Sequence, residues 1–319
     1  MDSSIIITFA IPLFFGLILI EFFYGVITKQ NNYRINDAIT SMSLGLISRF
    51  VPILGLGFQY VVYKAVAEHY NLKLLSGEEI WVWVTAFILY DICYYWMHRI
   101  HHEIKVFWAT HVVHHHGEEF NLATALRQTS TGFLWKWVFF LPLFIIGIPP
   151  QMYVTVAGLN LVYQFWVHTE HIGRLGFLEY IFVTPSNHRV HHAQNEDYLD
   201  ANYGGVFILW DRLFGTFIDE RSDLKPVYGT VKPLKSFNPF WANIEVFYQM
   251  IFDSYHTEKF TDKIRVWFSP PNWRPEDVSM KYPIDKNDLS SFEKYDPNIS
   301  LREKIFAGAQ FTVINLMTI

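Results

Sequence analysis

The chain has 319 residues, of which 51% are hydrophobic, 18% aromatic and only 17% charged; one soluble core does not hide that much apolar surface, and a membrane does. A formal charge of -5 excludes the clustered basic footprint of a nucleic-acid binder. The single cysteine, Cys93, excludes an internal disulfide framework and a cysteine-based zinc site, so with fourteen histidines present imidazole is the main ligand for any bound metal.

The first apolar run, residues 5–26, is long enough at about 1.5 Å per residue to cross a hydrocarbon core of about 30 Å. It follows Met-Asp-Ser-Ser, without a basic n-region, and no small-residue cleavage site comes after it. It therefore reads as a retained membrane helix rather than a signal peptide. A second stretch, 38–66, carries Arg49 and Pro52 and reads as one kinked helix or two shorter pieces. A third, 79–97, is rich in Trp, Tyr and Ile and runs into the first histidines. Segments 132–148 and 151–167, separated by Pro149-Pro150, read as a membrane hairpin. A hairpin returns the chain to its starting face, so histidines before it can meet histidines after it.

Lys29 and Arg34 place the loop after the first helix in the cytoplasm, and three helices then leave the histidines on that side. Residues 170–304 are mixed and polar and read as a cytoplasmic cap, and 305–319 turn apolar again, as the start of a further helix in a chain cut short. The expected fold is all-α, a multi-pass membrane bundle whose cytoplasmic helical cap carries a histidine-rich dimetal site. Its expected parts are N-terminal membrane helices (1–78), a membrane and histidine-motif catalytic domain (79–220), a cap extension (221–304) and the last apolar segment (305–319).

Twelve of the fourteen histidines fall within residues 98–116 and 168–192. His98 and His102 form H-x3-H; His111, His114 and His115 form H-x2-H-H; His188, His191 and His192 repeat that pattern. Positions i, i+3 and i+4 share a helix face, so each motif aims two or three imidazoles at one point. Eight nitrogens exceed the roughly four ligands of one zinc ion, which implies two metals; open positions for oxygen chemistry imply iron. His168, at the end of the hairpin, is added as a ninth ligand, with His171 in reserve. His101 and His116 are turned about 100° from their neighbours and are expected around the ligands or facing solvent. His69 and His256 lie outside the clusters and are expected to be structural or at the surface. Asp91, two turns before His98 in an apolar segment, is expected to support the ligands as an outer carboxylate; Glu103, Glu118, Glu119 and Glu170 are alternatives. A membrane zinc hydrolase would show H-E-x-x-H, and the string is absent.

These three histidine motifs resemble those of the fatty acid hydroxylase and sterol desaturase superfamily. The strings Asn121-Leu-Ala-Thr-Ala-Leu-Arg-Gln128, Tyr163-Gln-Phe-Trp-Val-His-Thr-Glu170, Thr184-Pro-Ser-Asn-His-Arg-Val-His-His192, Asn202-Tyr-Gly-Gly and Trp210-Asp-Arg-Leu-Phe-Gly-Thr-Phe217 are similar to its alkylglycerol monooxygenase branch. The likeness covers roughly residues 80–275. It implies a membrane enzyme with two Fe ions that hydroxylates a lipid with O2, cleaving the ether bond of an alkylglycerol to a fatty aldehyde and a glycerol derivative. It also implies tetrahydrobiopterin, or another redox donor, as the source of electrons. It carries His98, His102, His111, His114, His115, His168, His188, His191 and His192 over as metal ligands, and Glu103 as an acidic family position. A fatty acid, sterol or carotenoid hydroxylase or desaturase is the alternative within the superfamily. Asn187 departs from the pattern, standing where family members often have another histidine.

Overall fold

The computed structural model describes residues 3–50, 58–75, 77 and 79–318, with the side chains of 3–9 and 314–318 left aside. Among the described residues, four helices lead up to the clustered histidines: α1 (Ser3–Thr28), α2 (Ile35–Ser48), α3 (Gln59–His69) and α4 (Ile80–Glu103). Among the described residues there is no named strand, and extended pairing is limited to two isolated bridges, Phe182 with Phe207 and Ala193 with Tyr228. The chain is thus all-helical.

Among the described residues two helices, Ala10–Thr28 within α1 and the whole of α4, are long and apolar enough to cross a membrane. Within the stretch 38–66 the structure describes α2, which ends at Ser48, and the start of α3 at Gln59; residues 51–57, with Pro52, lie outside the described residues, and so does the choice between one kinked helix and two pieces. The first arm of the expected hairpin, 132–148, is not a continuous α-helix. Residues Gly132–Leu134 and Lys136–Phe140 form 3-10 turns, and only α5 (Leu141–Ile146) is α-helical. Pro142 explains the break: it has no N–H to donate and its ring clashes with the carbonyl four residues back, so the helix must start around it. Gly147, at φ 120°, closes α5 in a conformation that side chains disfavour. Pro149 and Pro150 then open α6 (Pro150–Trp166). The turn between the two segments is therefore where the prolines put it, although its first arm is short.

α4 packs along α6, and α6 along α1. Tyr63, Val82, Ala86, Tyr90, Phe140, Phe144 and Val156 form an apolar core where α3, α4, α5 and α6 come together. Two acids inside the long apolar helices are satisfied by loops. Glu21 of α1 accepts from the Leu122 N–H, Thr169 and Tyr33. Asp91 of α4 accepts from the Val206 and Phe207 N–H groups at 2.8 and 2.9 Å, Trp210 Nε1 at 2.9 Å and Asn160 Nδ2 at 2.8 Å. A buried carboxylate is tolerable only with partners of this kind, and each acid fastens a loop of the histidine region to a helix.

Beyond α6 the chain builds short helices around the histidines, including α7 (Pro185–His191) and α8 (Leu209–Phe214). Two longer ones follow, α9 (Pro239–His256) and α10 (Phe260–Phe268), and α11 (Leu301–Thr318) comes last.

Candidate metal centre

The C-terminal turns of α4 carry His98 and His102, and a one-turn helix, Val112–His115, carries His114 and His115 with His111 at its entry. His168 follows the end of α6. α7 carries His188 and His191, with His192 at its end. Its start is fixed by Thr184, which caps the helix while Asn187 Oδ1 accepts from the Thr184 N–H at 3.2 Å. The departure at Asn187 is thus a capping residue on the buried side of the helix, and the H-x2-H-H register after it is undisturbed.

These elements bring together all nine of the histidines singled out above, in two adjoining groups. His98, His102, His111, His115 and His191 form one, and His114, His168, His188 and His192 the other; within each group one nitrogen from every ring lies within 4.8 Å of the rest. The groups touch where His115 stacks on His192 at 4.4 Å between ring centres. His114 and His115, neighbours in sequence, serve different groups, because successive helical side chains diverge by about 100°.

Backbone carbonyls set the rings. Nδ1 of His98 donates to Tyr203 O at 2.9 Å, of His114 to Arg127 O at 3.3 Å, of His168 to Gln164 O at 2.8 Å and of His191 to Ala201 O at 2.9 Å. A ring that donates through Nδ1 presents a bare Nε2 lone pair, as metal-binding imidazoles do. Yet Nε2 of His168 lies 3.2 Å from Nε2 of His114, and Nε2 of His98 lies 2.9 Å from that of His111. Charging a ring would give the His114–His168 pair a proton to share, but burial opposes it. It pushes His168 down to about 3 and His191 to about 4, and burial together with the surrounding imidazoles holds His111, His114, His115, His188 and His192 well below the ordinary histidine range. Converging lone pairs without protons are a donor set for cations. The residues fit a pair of metal ions that accept imidazole nitrogen, a class that includes iron and zinc.

The outer positions fall less neatly. Asp91 touches no imidazole; it holds the backbone of the 203–207 turn, whose Tyr203 carbonyl in turn orients His98. Glu103 pairs with Arg99 at 2.8 Å on the outer face of α4 and also reaches no imidazole, because it lies one residue past His102 and points away from it. Glu118 and Glu119 both hold Arg34, and Glu170 accepts from Tyr228. His101 and His116 belong to neither group, but both are buried, which rules out the solvent-facing alternative; His101 bonds Met97 O and packs on Phe107 and Phe139. His171 edges Tyr24 outside the groups. His69 is exposed, and His256 bonds Phe252 O on α9, far along the chain from either group.

One contributor went unassigned in the sequence. Tyr203 lies with its ring 5.3 to 6.0 Å from those of His98, His102 and His191, and its N–H, with that of Gly204, is held by Asp211, whose carboxyl burial raises to about 6. The Asn202-Tyr-Gly-Gly and Trp210-Asp strings were its only signal. Arg127, also within a quoted string, is fully buried against Asp37 at 3.2 Å and supplies the carbonyl that orients His114.

Residues 83–216 match the fatty acid hydroxylase family model. The chain is 37% identical to an alkylglycerol monooxygenase of Danio rerio over 96% of its own length and 68% of the relative's. It is 40% identical to that of Homo sapiens over 83% of its own length and 59% of the relative's, and 38% identical to that of Xenopus tropicalis over 89% and 63%. The chain thus spans about three fifths of the length of the human and frog proteins. No solved structure matches it.

Proposed function

Because the chain belongs to the fatty acid hydroxylase family, we propose that it is a membrane diiron monooxygenase that hydroxylates a lipid, and that the lipid is an alkylglycerol. The observation that carries the reading is the His114–His168 pair, two uncharged rings whose Nδ1 atoms are engaged and whose Nε2 lone pairs meet at 3.2 Å. Such a pair is stable with a cation between its nitrogens and repulsive without one.

Nine histidines would hold the metals: His98, His102, His111, His115 and His191 one ion, His114, His168, His188 and His192 the other. Two irons in that place would activate O2 for an unactivated C–H bond, one oxygen atom entering the lipid and the other leaving as water with two electrons from a donor such as tetrahydrobiopterin. The protein's own part is positional. Carbonyls of Tyr203, Arg127, Gln164 and Ala201 fix the ring tautomers, Asp91 and Asp211 fix the turn that carries the first of them, and burial keeps the rings neutral at physiological pH. Hydroxylation beside the ether oxygen gives a hemiacetal, which breaks into a fatty aldehyde and a glycerol derivative.

A multi-pass membrane protein with this centre at the cytoplasmic face follows from the same reading. Arg34, one of the two basic residues of the loop after α1, binds Glu118 and Glu119 just beyond the His111–His116 run, which supports the positively charged loop and the histidines lying on one side. Metal analysis of the purified chain, paired with O2 uptake on an alkylglycerol with and without reduced pterin, tests the reading. Two irons per chain and pterin-dependent uptake are expected. Uptake on a fatty acid or sterol alone would transfer the assignment to the alternative hydroxylases, and a metal-free chain would end it.

A further inference from the structure

Between the first half of α4 and the middle of α6 the surface opens into a groove of about 290 Å³. Trp83, Phe87 and Ile88 of α4, Val156 and Leu159 of α6, and Phe207 form its walls, with almost no polar surface among them. Phe87 and Phe207 meet edge to face at 6.2 Å.

Two measures tie this groove to the metal centre. The first is the 203–207 turn. At one end its Tyr203 carbonyl orients His98, at the other Phe207 closes the groove, and Asp91 pins the backbone between them. Gly205 lets the turn lie that close, since a Cβ there would stand 2.8 Å from Asp91 Oδ1 and 2.9 Å from Tyr94 Cδ1. The second measure is depth. Ile88 and Trp83 precede His98 by ten and fifteen residues of one continuous helix, which at about 1.5 Å each is about 15 to 22 Å. Leu159 precedes His168 by nine residues, about 14 Å of near-continuous helix. Both helices therefore set the groove about as far from the histidines as one leaflet of a bilayer is thick, about 15 Å of hydrocarbon.

We propose that this groove binds the terminal methylenes of the substrate's alkyl chain, so that the reacting carbon stands at the histidines while the tail lies between α4 and α6. The inference rests on the lipid-hydroxylase reading above. It assigns chain-length selection to the groove walls: a tail that stops short of Ile88 and Leu159 leaves their apolar surface uncovered and binds more weakly, by about tenfold for every two methylenes lost.

The test uses the full chain in phosphatidylcholine bilayers and an alkylglycerol bearing a diazirine at the end of its tail. Photolysis is expected to label residues 83–88 and 156–159 saturably, with unlabelled long-chain alkylglycerol competing. Val84 also lines the groove and, like Leu159, is exposed at its rim; the double variant Val84→Trp and Leu159→Trp, which fills the groove from that rim, is expected to lose that labelling about tenfold. Ile20→Trp on the exposed face of α1 is expected to keep it, and an unchanged thermal transition in both variants shows that they fold. Labelling that is not competed, or that spreads evenly over the exposed face of α1, would mean bilayer lipid alone and would overturn the proposal. Saturable groove labelling in a protein that consumes no O2 with alkylglycerol would leave the groove standing and remove the proposed reaction instead.

Discussion

The two halves of α4 solve opposite problems within one helix. Its first turns present Ile80, Trp81, Val84 and Ile88 outward, with Ile80 at 79% exposure, whereas its last turns bury His98 at 2% and His101 at 0%. In a soluble protein that order would be inverted. Here it fits a helix whose outer surroundings are hydrocarbon over one half and whose inner surroundings are a polar nest over the other. In hydrocarbon an exposed indole is at no disadvantage, while every polar atom must find its partner inside. Asp91 stands at the change from one regime to the other.

The sharpest way to break this contrast is to take a ring from the polar half of the site. His115→Ala removes a nitrogen from one group and the stacking partner of His192 from the other, and it is expected to lower iron content and turnover by at least about 100-fold. His256→Ala, whose ring bonds Phe252 O and packs on Phe252, Tyr255 and Tyr282 away from both histidine groups, is expected to stay within about twofold in both. Equal losses in metal analysis and O2 uptake would erase the distinction.

The boundary residue comes next. Asp91→Ala strands two backbone N–H groups, an indole N–H and an amide, and is expected to cost about 3 to 5 kcal/mol, read as a large fall in the thermal transition. A full-strength transition in that variant would show that the 203–207 turn is held by something else.

Acid should act on the polar half alone. His168 and His191 have folded pKa values depressed to about 3 and about 4. Unfolding therefore takes up protons below the ordinary histidine value near 6.5. The stability they contribute is complete above that pH and is lost as pH falls toward their folded values. Between pH 6.5 and 5 the loss is about 2 kcal/mol for each such histidine. Urea midpoints of metal-free protein measured across that interval check the sign; a midpoint that rises on acidification would contradict it.

The smallest effect belongs to Glu103. Its pair with Arg99 is solvent-exposed and touches no imidazole, so Glu103→Ala is expected to cost no more than about 0.5 kcal/mol by denaturation and to leave iron content unchanged. A loss of metal in this variant would restore the carboxylate to the site.

Much of this was legible in the linear pattern because it is local. The spacing i, i+3, i+4 is a property of any helix, so His98 with His102, and His188 with His191 and His192, could be placed on common faces before any fold was known. Pro149-Pro150 marked the turn into α6 for the same reason, since proline acts on the residues beside it. Pro142 acts in the same way within the apolar run 132–148, where α5 begins beside it at Leu141.

What tertiary structure alone decided is how those faces meet. Spacing does not tell that His114 and His115 part company into different groups, that Tyr203 from a distant turn lies against three of the rings, or that Asp91 serves a backbone rather than an imidazole. Helical periodicity specifies the direction of a side chain about its own axis. The direction of that axis relative to others depends on packing between segments as far apart as Asp91 and Trp210, 119 residues along the chain, and no short stretch of sequence contains it.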